Sequence, residues 1–161
     1  MANIVPYAFP VELLKGNHDF AADTYTMSLY TNNGGAVGAY TVNSTVALLG
    51  PAAGGAPNYE VSTQGTTRYT AQNLTGQSVA NINNVATVDF TDPIWGNTVA
   101  GTSTFTARGA AIYNLSDTNK LVVILDFGAD FSCSNGTFTV TFPAANAGTP
   151  SGSDALLSIT S

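Results

Sequence analysis

Leu121-Val-Val-Ile-Leu125 is the most continuous apolar run in the chain, and Thr137-Phe-Thr-Val-Thr-Phe142 is its most regular alternation of polar and apolar residues. The run is typical of a strand buried on both faces, and the alternation is typical of a strand with one buried face. Asn135-Gly136 lies between them and favours a hairpin turn. We therefore predict that the two segments form an antiparallel pair at the centre of a sheet. The side chains expected to be mostly buried there are Leu121, Val123, Leu125, Phe127, Phe138, Val140 and Phe142.

Short strand patterns separated by turn residues recur along the rest of the chain at spacings of roughly ten residues, which favours a sandwich or barrel. One of them alternates Tyr25, Met27 and Leu29 with polar neighbours. Residues 7–16 differ, because Pro10 suits the start of a short helix and Gly16 suits its end. The expected fold is all-β: a single-domain antiparallel β-sandwich or barrel, jelly-roll-like, with one short N-terminal helical turn.

The composition changes after Pro143. Residues 1–143 are expected to form the β domain together with an N-terminal arm, and residues 144–161 a linker of small residues followed by an apolar tail. Apolar residues at both ends fall outside the strand pattern, so each end either contacts a neighbouring subunit or closes an edge of its own sheet. The candidate interaction residues are Ile4, Val5, Tyr7, Phe9, Leu156, Leu157 and Ile159.

Charge excludes several classes of partner. Only 9% of the 161 residues are charged and the formal net charge is −6, whereas about a quarter of residues are charged in an average domain. The four basic residues form no patch that could neutralise phosphates, so we expect no direct binding of nucleic acid. No apolar run approaches the length of a membrane span, so no membrane partner is expected. A surface with few charges suits a protein covered by neighbours in an assembly.

Cysteine and motif content argue against a bound metal or cofactor. Cys133 is the single cysteine, so neither an intramolecular disulfide nor a thiol metal cluster is expected, and the chain has no phosphate-binding loop.

The first residues lack a basic segment followed by a long apolar core, so we expect no secretory signal and synthesis in the cytoplasm.

Catalytic residues are equally scarce. His18 is the only histidine, and it lies in Asn-His-Asp with no nucleophile motif beside it, which favours a surface or packing role. The carboxylate pairs Asp89/Asp92 and Asp126/Asp130 could do acid–base chemistry or hold calcium. Aspartates in turn-forming segments more often accept hydrogen bonds from backbone N–H groups, and no EF-hand pattern is present. The sequence therefore predicts a protein that is not an enzyme.

Two further residues have a structural and a functional interpretation. Trp95 lies in Asp-Pro-Ile-Trp-Gly, where anchoring a turn in the core is favoured over stacking on a ligand. Arg108 lies in an apolar segment and needs a carboxylate partner, either Asp89 or Asp126 in the same chain or a group on another subunit. Gly109 is expected to mark a bulge or bend.

Three blocks of sequence, covering about half of the chain, carry a resemblance to a known family. The first opens with Glu-Leu-Leu-Lys-Gly-Asn-His-Asp-Phe, the second contains Val-Asp-Phe-Thr-Asp-Pro-Ile-Trp, and the third contains Leu-Asp-Phe-Gly. In this order they resemble small virion structural proteins of tailed bacteriophages. The matching ranges are 12–20 with 23–31, 88–95 with 106–114, and 125–128 with 134–143. The segment Gly50–Pro57 and the tail after Ala144 are longer than the pattern of that group.

The resemblance implies a virion protein, and a capsid cement or decoration protein fits the size and β content best. Its expected partner is the major capsid protein, whose subunits it would hold together on the outer capsid surface as a homo-oligomer, dimer or trimer. The implied location is the virion capsid after synthesis in the host cytoplasm. A neck or tail component and a receptor-binding fibre domain are the alternatives.

Overall fold

The computed structural model describes residues 5–31, 60–61, 69–82, 84–96, 103–143 and 156–160. Several segments lie outside these ranges: Ile4, the loop Gly50–Pro57 and the linker that begins at residue 144. Residues 39–49, whose pattern predicts a weak strand, and the residues around Gly65, whose pattern predicts a short hairpin, lie outside them as well. The elements, in chain order, are α1 Ala8–Leu14, β1 Tyr25–Tyr30, β2 Gln72–Asn73, β3 Ser78–Ile82, β4 Val85–Asp89, β5 Ile94–Trp95, β6 Ser103–Asn114, β7 Lys120–Gly136, β8 Phe138–Thr139 and β9 Leu157–Thr160.

The strands form three antiparallel sheets. Their orders are β2-β1-β6-β7, β3-β4-β9 and β5-β8. One hydrophobic cluster joins them, since it contains residues of β1, β6 and β7 together with Val88 of β4 and Trp95 of β5. The prediction of an all-β fold with one short helix is confirmed. Of the two predicted arrangements, the described strands have the sandwich-like one, because their sheets do not close into a barrel.

The strand β1 lies between β2 and β6, and all six of its residues are buried. The expected alternation holds for Tyr25, Met27 and Leu29, but the polar residues between them are also buried because both faces of β1 are covered. Thr26 donates its hydroxyl to Asn73 Oδ1 at 2.9 Å, which satisfies one of these polar groups.

The predicted pairing of residues 121–125 with residues 138–142 is wrong. β7 continues through Asn135-Gly136 instead of turning there, and it pairs with β6. Asn135 has the positive φ (53°) that favours a turn, but here it lies near an irregularity of the β6–β7 register. The chain then crosses to another sheet, where Phe138 of β8 pairs with Trp95 of β5.

The burial expected for this region is confirmed. Leu121, Val123, Val140 and Phe142 are buried, and Leu125, Phe127 and Phe138 are partly buried against the same cluster. Residues 121–124 are all buried, as a run covered on both faces requires, and the threonines at 137, 139 and 141 are exposed.

The irregularity expected near Gly109 is present. Ala107 pairs with Phe131 and Gly109 pairs with Asp126, so the pairing shifts on either side of Arg108. The guanidinium Nε of Arg108 donates to Asp126 Oδ1 at 3.2 Å, and its Nη1 lies 3.8 Å from Asp130 Oδ1. The predicted intrachain partner Asp126 is therefore confirmed, and the ion pair covers the shift in register.

Candidate interaction surface

The helix α1 is short, and local backbone geometry at Gly16 ends it. It occupies Ala8–Leu14, inside the predicted segment, with Pro10 in its third position and not in its first. Gly16 has φ of 74°, a conformation that glycine adopts without strain, and its N–H bonds Leu13 O at 3.0 Å. Because a helix this short is marginal by itself in water, its contacts with the sheet must hold it in place.

The inner face of α1 is anchored by aromatic rings. Phe9 is buried, and the centre of its ring lies 5.0 Å from that of His18 and 6.3 Å from that of Phe20. Phe20 in turn stacks on Tyr25 of β1 at 4.6 Å. Phe9, one of the predicted interaction residues, therefore packs into its own domain.

His18 joins the helix to the sheet. Its side chain is fully buried and its Nε2 lies 3.4 Å from Glu12 Oε2 on α1, while Nδ1 has no hydrogen-bond partner among the described residues. Burial lowers the pKa of His18 below its ordinary value, and the hydrogen bond and charge of Glu12 oppose that change. These contacts agree with the packing role expected for this histidine.

The other face of α1 points its apolar side chains into solvent. Tyr7, Val11 and Leu14 are spaced by four and three residues, which places them on one side of the helix. Their exposed fractions are 65%, 50% and 89%. Val5, 39% exposed, precedes them. We call Tyr7, Val11 and Leu14 the α1 outer face.

The sequence pointed to part of this surface only. Val5 and Tyr7 were identified because they lie outside any strand pattern, whereas Val11 and Leu14 were not singled out. The helical spacing of Tyr7, Val11 and Leu14 was readable, but sequence alone does not say which apolar face of a two-sided helix packs inward.

The C-terminal residues lie in the sheet of their own chain. Leu157 pairs with Val88 and Ile159 pairs with Ala86, so β9 is the third strand beside β4. Leu156 and Leu157 are partly buried against the core, while Ile159 is 51% exposed. Of the two expected alternatives for this segment, the structure has the one in which it extends its own sheet.

Asn114, for which the sequence predicted no role, connects the segment after α1 to the end of the β6–β7 hairpin. Its side chain is fully buried, and Nδ2 donates to Asn17 O at 3.1 Å and to Asp23 Oδ2 at 2.7 Å. Its Oδ1 accepts from the backbone N–H groups of Ser116 at 2.9 Å and Asp117 at 3.2 Å. This corner also holds the side chain of Asn17, which donates to Asp117 Oδ2 at 3.0 Å.

The aspartates considered for catalysis bind backbone N–H groups. Asp89 Oδ1 accepts from Phe90 N at 2.9 Å, and Asp92 Oδ1 accepts from Phe142 N at 2.8 Å. Asp126 Oδ1 accepts from the N–H of Gly128 at 2.8 Å, which is the main cause of its lowered pKa. The interpretation of these carboxylates as acceptors of backbone hydrogen bonds is confirmed for Asp89, Asp92 and Asp126, whereas Asp130 contacts Arg108.

Trp95 anchors the core, as expected from its turn. It is 1% exposed, and its indole Nε1 donates to the carbonyl of Thr70 at 2.8 Å. Its ring centre lies 6.4 Å from that of Tyr69 and 6.1 Å from that of Phe138. The tryptophan is therefore not available as a stacking platform for a ligand.

A buried acid that the sequence did not reveal lies beside β1. Glu60 is 5% exposed and accepts a hydrogen bond of 3.2 Å from the hydroxyl of Tyr69. The hydroxyl oxygen of Tyr69 in turn accepts a 2.7 Å bond from Leu29 N. Burial raises the pKa of Glu60, and the hydrogen bond from Tyr69 opposes this. The sequence gave no signal for this contact, because only the folded sheet brings Glu60 and Tyr69 together.

A shallow polar cleft of about 320 Å³ lies next to β2 and β5. Its lining is made of small polar side chains with one carboxylate and one partly exposed isoleucine. Much of that polar surface is already used within the chain, since Asp92 bonds Phe142 and Asn73 bonds Thr26. The lining residues are Gln72, Asn73, Thr75, Thr91, Asp92, Pro93 and Ile94.

Within the described ranges, no three His, Cys, Asp or Glu side chains are grouped so that they could hold a metal ion. None of the helices in that part of the chain has the length and apolar character that a membrane crossing requires.

Comparison with protein-family models, with curated proteins and with solved structures found no match to this chain. The class of protein is therefore defined by its own structure: an all-β, sandwich-like domain that presents an apolar helix face to solvent.

Proposed function

We propose that this chain is a non-enzymatic structural protein of a tailed-bacteriophage virion, and that it acts as a capsid cement protein. In this role it binds the outer capsid surface and stabilises contacts between subunits of the major capsid protein. The resemblance of the three sequence blocks to small virion proteins supports the virion assignment. The single structural observation that carries the binding role is the α1 outer face.

An apolar helix face in solvent is costly unless a partner covers it. Burying one Val, Leu or aromatic side chain contributes roughly 1.5–3 kcal/mol. The α1 outer face has three such residues, with exposed fractions between 50% and 89%. Laying an amphipathic helix in an apolar groove is a common mode of protein recognition. The α1 outer face is thus the contact that we assign to the capsid.

One such contact is too small for firm attachment. Association costs an estimated 4–15 kcal/mol before any net affinity remains, so one helix face of this size provides weak binding alone. A cement protein therefore requires either several copies held together or several contacts per copy. This supports an oligomer on the capsid, in which each copy contributes one α1 outer face.

The number of copies per virion tests the location. Quantitative mass spectrometry of purified virions should give hundreds of copies if the protein covers the capsid shell, whereas about six or twelve copies would assign it to the neck or tail. A fibre domain would instead bind host cells as isolated protein.

Binding to capsids that lack the protein tests the surface. Leu14→Ser and Val11→Ser remove apolar groups without touching the buried side of α1, and each should weaken binding about tenfold or more. Phe131→Ser is the matched control, because Phe131 is 50% exposed on β7 outside α1. Equal binding by all three variants would overturn the assignment of α1 as the contact.

A further inference from the structure

Among the described residues, the strand β3 is a sheet edge without the usual protection. It is the end strand of the order β3-β4-β9, and no other strand in the described part of the chain pairs with it. Natural edge strands are commonly blunted by lysine, proline or a bulge. β3 has none of these: its sequence is Ser-Val-Ala-Asn-Ile, and its five pairs with β4 run from Ser78↔Asp89 to Ile82↔Val85 without a shift in register.

The direction of the free backbone groups follows from the hairpin. Ile82 and Val85 enclose a two-residue loop, so they form a hydrogen-bonded pair, and so does every second pair beyond them. Ala80 and Ser78 therefore direct their N–H and C=O groups to β4. Val79 and Asn81 direct theirs away from the sheet, where nothing in the described residues receives them.

From this geometry we infer that β3 pairs with β3 of a second copy of the chain, antiparallel about a two-fold axis at Ala80. The pairs Val79↔Asn81 and Asn81↔Val79 would then exchange four backbone hydrogen bonds, and the two three-stranded sheets would become one of six strands.

Charge and side-chain size favour a second copy as the occupant. Residues 69–88 contain no Asp, Glu, Lys or Arg, although the whole chain carries a net charge of −6. Two copies can therefore approach along this edge without placing like charges opposite each other. Ala80 meets its own copy at a pair of the non-hydrogen-bonded kind, where the strands' Cα atoms are only about 4.5 Å apart, and a methyl side chain fits there.

The exposure of the apolar side chain of Val79 at this edge supports pairing with a second copy. Val79 is 56% exposed although it belongs to the row that contains the buried Val88 and the partly buried Leu157. Its exposure is a consequence of its position at the edge, where no described strand lies beside it. In the paired sheet, Asn81 of the second copy lies beside Val79 and covers it.

The test compares two substitutions at one position by analytical ultracentrifugation of the full-length protein. Val79→Pro removes an outward N–H that β4 does not use, a change that edge strands tolerate. It should weaken the dimer by about thirtyfold or more. Val79→Thr is the matched control, because it keeps the N–H and a β-branched side chain, and it should remain dimeric.

Amide hydrogen exchange identifies the surface independently. In the dimer, the N–H groups of Val79 and Asn81 should exchange slowly, and they should exchange quickly when the protein is diluted to monomer. The inference is overturned by a wild-type protein that stays monomeric at its highest soluble concentration. It is equally overturned by a dimer that survives Val79→Pro in a folded protein, or by a dimer in which these two amides stay unprotected.

Discussion

At the scale of single residues, Asn114 is fully buried and its side chain makes four hydrogen bonds. Its side-chain amide N–H groups and its carbonyl oxygen all have partners, which lie in the segment from Asn17 to Asp23 and in the turn that follows Asn114 itself. No other side chain could reproduce this set, because aspartate would place a second carboxylate against Asp23 and leucine would provide no donors or acceptors.

We expect Asn114→Ala to lower the free energy of unfolding by about 2–4 kcal/mol, because it removes four hydrogen bonds in a partly buried corner and leaves a gap at a fully buried position. Urea denaturation followed by circular dichroism measures the change. Thr141→Ala, an exposed position beside the core strand residues, is the control and should change the free energy by less than about 0.5 kcal/mol. A similarly small effect at position 114 would contradict the role assigned to it.

His18 should make stability depend on pH. Its pKa in the folded protein is lower than its ordinary value of 6.5, so the unfolded chain binds the proton more readily. The contribution of neutral His18 is therefore fully present above pH 6.5 and is lost as the pH falls below that value. The groups that act on it are Glu12 on α1, with Lys120 and Asp117 from the end of the β6–β7 hairpin.

As the pH decreases from about 7 to 5, we expect the wild type to lose unfolding free energy relative to His18→Gln, because the raised pKa of Glu60 acts in the opposite direction but equally in both proteins. Denaturant melts at several pH values measure both slopes. Asp117 and Asp126, whose pKa values are lowered, contribute a loss only below pH 3.8. Parallel pH profiles of the two proteins in the upper window would show that His18 is not the titrating group.

At the scale of elements, β9 is the one whose removal is simplest to test. Its residues close the edge of β4, and Leu156 and Leu157 add partly buried surface to the core. Deleting residues 156–161 should therefore lower the unfolding free energy by about 2–4 kcal/mol while leaving the other sheets folded. If the truncated protein is as stable as the full chain, the segment contributes nothing to its own domain.

Local sequence patterns predicted the type of most elements but not their partners. The helix and the buried run at 121–125 were readable, because they depend on neighbouring residues only. The alternation at 137–142 predicted a strand, but only Phe138–Thr139 forms one. The prediction of a hairpin turn at Asn135-Gly136 was wrong because the same dipeptide suits both a turn and an irregular strand. The strands that pair with β7 and β8 are β6 and β5, and local sequence patterns carry no information on such pairings between separate segments.

The candidate surface was partly predictable for the same reason. An apolar N-terminal segment outside the strand pattern indicated a binding role, but the choice between Phe9 inside and Leu14 outside depends on the aromatic rings of His18 and Phe20. The edge of β3 carried a readable signal, an uncharged strand followed by Asn-Asn, and its importance emerged only when the sheet order was known.

At the scale of the whole molecule, the chain should be stable without any metal ion. The sequence offers no cysteine or histidine cage, and Asp89, Asp92 and Asp126 accept hydrogen bonds from backbone N–H groups or from Arg108. Dialysis against a chelator should therefore leave the melting temperature unchanged within experimental error. A decrease of many degrees would reveal a structural cation and would require a new interpretation of these carboxylates.

The order of the central sheet has a consequence for folding during synthesis. β6 and β7 are joined by a short turn, Asn114 to Lys120, but β1 pairs with β6 across most of the chain, Tyr25 with Asn114. Such a high contact order gives slow folding, in milliseconds to seconds. On a ribosome, β1 emerges first and must wait, with its apolar residues uncovered, until β6 has left the exit tunnel. Chaperone binding to nascent chains should therefore be concentrated on the segment that contains β1.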